Sequence, residues 1–221
     1  MSTATNVASL SASNLGKDDA NASAEDYYVL IQTLRAGGMS AVAPRSVGVT
    51  CCTGDAGVSS IAGNLAKAAA EFSEQPVLLL DLSGLANSPR PSGEEHYRQK
   101  PVLTEVAQPT AISNLFVLRG EDLQEELLWT ADLNAIDSLI RSAEDEFGYV
   151  VVNLPATDSS VCYQAAGLLN GVLLVVEAER TRIESATRAK NRLIHAQANL
   201  LGVVLNNNPQ HLPKWLQDRL Q

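Results

Sequence analysis

The sequence has no apolar run of the roughly 18 residues that a membrane-spanning helix requires. Its first 23 residues are dominated by Ser, Ala, Asn and Thr and contain no hydrophobic stretch of the signal-peptide kind. Cysteine is scarce: Cys51, Cys52 and Cys162 make no Cys-x-x-Cys pair and no metal-ligand spacing with the three histidines. A disulfide framework and a metal site are therefore set aside, and reduced, buried thiols are expected. Positive charge is also short. Sixteen Lys and Arg against 25 Asp and Glu give a net charge of −9, the wrong sign for a protein whose main partner is nucleic acid. The shortage is uneven. Residues 177–221 hold seven basic side chains against four acidic ones, +3, which leaves −12 on residues 1–176. Most of the basic excess lies between Arg180 and Arg192. A solvated helix face, with Glu184 and Arg188 at i,i+4 spacing, is the first reading, and an anion-binding or docking face is the second.

What is present is the composition of an ordinary globular chain, 45% hydrophobic and 19% charged over 221 residues, enough for one core. Residues 1–23 are expected to form a disordered leader and residues 24–221 a single domain. Short apolar runs, several almost pure Val and Leu, mark strands at 46–52, 76–82, 115–118, 149–154, 171–176 and 201–205. Helical stretches are expected at 59–72, 130–147, 158–169 and 182–198, and an additional helix at 25–35 precedes the first strand. In the last stretch Ile183, Ala186, Ala189, Leu193 and Ala196 recur at helical spacing. The segment 83–101 reads as a polar loop. Strands alternating with helices specify an α/β fold: a doubly wound, mostly parallel sheet flanked by helices.

The informative junction is Val47-Gly-Val-Thr-Cys-Cys-Thr-Gly-Asp-Ala-Gly-Val-Ser-Ser60, which leads from a buried strand through small residues into a helix. Such a turn aims backbone N–H groups and the positive end of a helix dipole at one point, which favours a phosphate. The amides of Thr53, Gly54, Asp55, Ala56, Gly57, Val58, Ser59 and Ser60 are the candidate anion-binding groups. A working phosphate loop adds a lysine and a metal-binding hydroxyl. Gly57 and Ser59 stand where the last glycine and the hydroxyl belong, but Val58 occupies the lysine position and Cys52 that of the first glycine. A plain strand-to-helix turn would look similar.

The rest of the chain resembles the deviant-Walker P-loop ATPases, above all the bacterial tyrosine-kinase domains of polysaccharide co-polymerases. The matching pieces are Glu25-Asp-Tyr-Tyr-Val-Leu-Ile31, the loop with Asn64-Leu-Ala66, Leu78-Leu-Leu-Asp-Leu-Ser83, Phe147-Gly-Tyr-Val-Val-Val-Asn-Leu-Pro155, Val172-Leu-Leu-Val-Val176 and Leu201-Gly-Val-Val-Leu-Asn206. They run in order from about residue 24 to 208. The resemblance implies that Asp81 and the residue at 153 belong to the metal site and that Asn206 lies near the base of a bound nucleotide. It also exposes departures. Besides Val58, Ser83 replaces the second acid of Asp-x-Asp, and Asn153 replaces the acid that helps hold Mg²⁺. Tyr28 and Ile31 replace two arginines that support ring assembly. Residues 210–221 lack the family's tyrosine cluster.

Phosphoryl transfer rests on electrostatic stabilisation, so these losses compound. The expectation is a protein with no catalytic residue of its own and no metal site. No cofactor is assigned beyond the open case of ATP or ADP with Mg²⁺. It would act as a regulatory or scaffold subunit of bacterial exopolysaccharide or cellulose synthesis and export, cytoplasmic and held at the inner membrane through a partner. That partner would be a membrane polysaccharide co-polymerase or synthase subunit; a homodimer is also considered. An active autokinase or ATPase of the same pathway, and a partitioning or division-site regulator, are the alternatives. The tail from Leu212 to Leu220 is read as a short packing helix carrying Trp215 and Leu216.

Overall fold

In the computed structural model the described residues are 10–11, 24–36, 44–54, 56–87, 102–120 and 133–206. Eight strands form one sheet: β1 (Leu10–Ser11), β2 (Ser46–Cys51), β3 (Val77–Asp81), β4 (Gln108–Pro109), β5 (Leu115–Arg119), β6 (Tyr149–Asn153), β7 (Gly171–Glu177) and β8 (Leu200–Asn206). Their order is β1-β8-β7-β2-β6-β3-β5-β4. Every pairing is parallel except that of β4 with β5. The helices are α1 (Ala24–Arg35), α2 (Val58–Phe72), α3 (Leu103–Val106), α4 (Leu133–Glu146), α5 (Ser160–Ala166) and α6 (Ile183–His195), with a 3₁₀ turn at Ser83–Asn87.

The Val/Leu runs form strands because both faces of the sheet are covered, and alternate residues feed two separate cores. Leu78, Leu80, Val150, Val152, Val172 and Leu174 point to the side that also buries Ile140 of α4, Cys162 of α5 and Leu193 of α6. Val47, Val49, Val77, Val151, Leu173 and Val175 point to the side of α1 and α2. Helix α2 buries Val58, Ile61, Ala62, Leu65, Ala66 and Ala69, a stripe at helical spacing. Its alanines allow close approach to the sheet. Helix α1 lies outside α2 and buries Tyr27, Leu30, Ile31 and Leu34, again one face. At Gly48 in β2 a Cβ would lie 2.6 Å from Leu169 Cδ1 and 2.8 Å from Leu154 Cδ1, so any larger residue there would displace both leucine side chains.

All six expected strands and all five expected helices are present; α1 and α2 begin one residue earlier than anticipated, whereas α4, α5 and α6 are shorter. Strands β1 and β4 and helix α3 are unanticipated. Each is too short to carry a period, and Pro109 in β4 fits only an edge strand. Leu10 pairs with Val204 inside the stretch expected as a leader; the rest of 1–23 lies outside the described residues. So do 88–101 of the polar loop and the tail at 212–220.

One inward residue is corrected. Ile183 was grouped with Ala189 and Leu193, yet it is 80% exposed whereas they are buried. Steps of three residues fall 60° short of a full helical rotation, so Ile183, two such steps before Ala189, lies 120° away from it.

The two arginine positions of the resembled family are structural here. Ile31 is fully buried, and Tyr28 meets Phe72 edge-on at a ring-centroid distance of 4.9 Å. Replacing Ile31 with Ala should cost about 2–5 kcal/mol, read as a lower urea midpoint at unchanged slope.

Candidate functional site

Three strand ends meet at one level of the sheet. β2 opens into the phosphate loop, β3 ends in Asp81 and β6 in Asn153; the register sets Asn153 beside both Asp81 and Val49. The connection from β2 runs towards β3, whereas that from the neighbouring β6 runs the other way, past β2 to β7, and the crevice at such a switch point is where α/β sheets bind ligands. β6 lies between β2 and β3, so Asn153 is the central member.

Asn153 is 2% exposed. Its Nδ2 donates to Ser59 Oγ at 3.0 Å and to Asp81 Oδ1 at 2.9 Å. The carboxylate fixes the sense of the amide, because Oδ1 turned to face Asp81 would put two acceptors together. Asn153 Oδ1 is then a buried acceptor with no partner among the described residues. Asp81 Oδ1 also accepts from Ser83, from Oγ at 2.6 Å and from the backbone N–H at 2.9 Å. Ser83 and Asn153, at the two positions where the resembled family carries acids, both donate hydrogen bonds to Asp81.

This donor set does not fit Mg²⁺, which demands oxygen ligands in near-octahedral array. The amide N–H₂ stands between the Ser59 and Asp81 oxygens, and its two hydrogens take the lone pairs a cation would use. The lysine position is equally closed. Val58 is 5% exposed and belongs to the apolar cluster of Val49, Ala62 and Val175. Cys52, at the place of the first glycine, is buried in the opposite core.

Gly54 and Gly57 have φ of 67° and 76°, left-handed values that favour glycine. The first intrahelical bond of α2 runs from the Ile61 N–H to the Gly57 carbonyl at 3.0 Å. The amides of Val58, Ser59 and Ser60 therefore lead the helix as first-turn donors, and no acidic side chain lies in that turn. Thr53 and Gly54 are exposed, and Asp55 lies outside the described residues.

Asn206 is buried at the end of β8, and its Nδ2 donates to the Ala56 carbonyl at 2.8 Å. A Cβ on Gly57 would approach that nitrogen to 2.5 Å. The structure thus brings Gly57, Ser59, Asp81, Asn153 and Asn206 together, with Asn206 clamping the loop. Sequence reasoning missed Thr157. Its N–H donates to the Cys51 carbonyl at 3.0 Å and its Oγ1 to the Cys52 carbonyl at 3.3 Å, tying the loop from the β6 side. Only its place two residues after Pro155, near the strand end, pointed to it. Below the loop Thr50 Oγ1 donates to the Pro155 carbonyl at 2.7 Å and lies 3.4 Å from Cys162 Sγ. Burial pushes the Cys162 thiol up to about 11, against the opposing effect of the Thr50 contact.

No protein-family model and no curated protein matches the sequence. Solved structures match in fold. The kinase domain of Escherichia coli tyrosine kinase ETK aligns with a TM-score of 0.66 at 21% identity, over 88% of this chain and 79% of that one. The kinase domain of VpsO gives 0.61 at 18%, over 84% and 94%. The MinD cell division protein of Aquifex aeolicus gives 0.55 at 18%, over 80% and 72%. The chain has the fold shared by these P-loop tyrosine-kinase domains and ATPases.

Asn206→Ala should lower stability by about 1–3 kcal/mol in urea unfolding, because it leaves the buried Ala56 carbonyl without its donor. The Cys162 thiol, ordinarily near 9.0, stays protonated to higher pH in the folded chain. Its contribution is complete below pH 9 and is lost as pH rises towards 11. Cys162→Ala should flatten the fall of Tm across that window.

Proposed function

We propose that this chain is a catalytically silent relative of the tyrosine-kinase-like P-loop proteins, retained as a regulatory or scaffold subunit of bacterial exopolysaccharide or cellulose synthesis and export. The observation that carries this reading is the Asn153 amide seated between Ser59 and Asp81, where the resemblance implies a metal. The buried Val58 adds to it, since the loop then offers a phosphate its amides but no cation.

Loss of a single transition-state donor costs an enzyme on the order of 10²–10³ in rate. Here the lysine and two acids are replaced together, and parts that act as a unit fail as a unit. The pathway follows from the ordered motif resemblance, supported by tyrosine-kinase domains aligning at TM-scores of 0.66 and 0.61 against 0.55 for MinD. The partner in this reading is a membrane polysaccharide co-polymerase or synthase subunit, which holds the chain at the cytoplasmic side of the inner membrane. Among the described residues no helix is long and apolar enough to cross a membrane.

Titration of the purified chain with a fluorescent ATP analogue tests the reading. The expected result is no Mg²⁺-dependent binding in the micromolar range and no incorporation of phosphate into the chain. Saturable micromolar binding that requires Mg²⁺ would overturn it.

A further inference from the structure

We propose that the outward face of α6 docks an acidic amphipathic helix supplied by a protein partner. The inference stands on α6 alone and is independent of the phosphate loop's chemistry.

Charge is the first observation. Arg182, Arg188, Lys190 and Arg192 cluster on and beside this helix in a chain with net charge −9. The ion pairs among the described residues are Asp137–Arg141 and Glu177–Arg180, so none of these four cations pairs with a described carboxylate. The Glu184–Arg188 pair that a merely solvated face would use is not formed.

Apolar exposure is the second. Six large hydrophobic side chains are exposed among the described residues, and three of them gather here: Ile183 at 80%, Ile194 at 54% and Tyr163 at 50%. Eleven residues separate the two isoleucines, which places them on one side of the helix about 16 Å apart. Tyr163 Oη donates to the His195 carbonyl at 3.2 Å, which fixes its ring at the end of α6. A groove of about 570 Å³ runs along Ile183, Glu184, Thr187, Arg188, Arg192 and His195, with Glu184 its one acidic side chain against two arginines. The isoleucine and arginine side chains of this groove, with exposed Ile194 and Tyr163 beside its His195 end, have the composition of an interface core, not of a solvated surface.

The groove's length matches three turns of a partner helix whose apolar stripe meets the isoleucines and whose flanking carboxylates meet the arginines. An anionic lipid surface fits less well. The whole chain at −9 is repelled by it, and two isoleucines on a helix whose other face is buried give little to insert. A second copy using the same patch would bring like charges together across a two-fold axis.

The test uses the full chain and a fluorescein-labelled synthetic helix with leucines at i, i+4, i+7 and i+11 and glutamates on both flanks. A second peptide carries lysines in place of the glutamates. Fluorescence anisotropy should show saturable, salt-sensitive binding of the acidic peptide and none of the basic one. Ile183→Asp with Ile194→Asp should weaken it about tenfold or more, as should Arg188→Glu with Arg192→Glu. Arg188→Lys with Arg192→Lys should retain binding, and all variants should keep the parent circular dichroism, since the isoleucines and Arg188 are exposed. Absence of saturable binding, or binding indifferent to both variant pairs, overturns the proposal. Co-sedimentation with phosphatidylglycerol–phosphatidylcholine vesicles that the variants abolish would overturn it in favour of lipid. A dimer in sedimentation equilibrium that the same variants dissolve would overturn it in favour of a second copy.

Discussion

A buried side-chain amide holds the top of this sheet together. The N–H₂ of Asn153 links α2 through Ser59 and β3 through Asp81, and its backbone carbonyl accepts from the Leu82 N–H at 2.9 Å. A metal-dependent site achieves a comparable link with a divalent cation that bridges oxygen ligands. The amide does it with two neutral donors and therefore needs no ligand to be complete. Ser83 follows the same logic by donating twice to the same carboxylate oxygen. The acid at 81 is thus retained as the acceptor on which three neighbouring donor atoms converge.

Around that link, positions that the resembled family uses for ligands are packing positions in this chain. Val58 fills the apolar layer under the loop, Ile31 lies at the centre of the α1–α2 contact, and Asn206 holds the loop carbonyl at 56. Each of these contacts is made within the chain and waits for no ligand or neighbouring subunit. Charged groups poised for catalysis or assembly are costly to hold without their partners, whereas buried apolar groups and paired amides stabilise the isolated chain. The glycines at 54 and 57 are left-handed, as a tight strand-to-helix turn requires.

The strands at β2, β3, β6, β7 and β8 were legible because doubly covered parallel strands leave nearly unbroken Val and Leu runs, which nothing else in the chain imitates. The strand-to-helix junction was legible for the same reason: glycines at left-handed φ have few substitutes. What the residues alone did not disclose was contact across the sheet. That Asn153 reaches both Ser59 and Asp81 depends on β6 lying between β2 and β3, a fact of strand order and not of spacing. Thr157 escaped notice because a threonine after a proline has many uses, and only the structure puts its two donors on the Cys51 and Cys52 carbonyls. The outward turn of Ile183 was missed because a three-residue step looks helical while drifting off the buried face.

The claim on which this account rests is that Asn153 stands in for a metal ion, and the response of thermal stability to Mg²⁺ reads it directly. Asn153→Asp removes both donated hydrogen bonds and sets two carboxylates together, a loss of about 3–5 kcal/mol for an uncompensated buried charge. It also creates an oxygen set that a divalent cation can neutralise. The account predicts that millimolar MgCl₂ leaves the Tm of the natural chain unchanged and restores most of the Tm lost by the Asn153→Asp variant. A natural chain whose Tm rises with MgCl₂ as much as the variant's would contradict it.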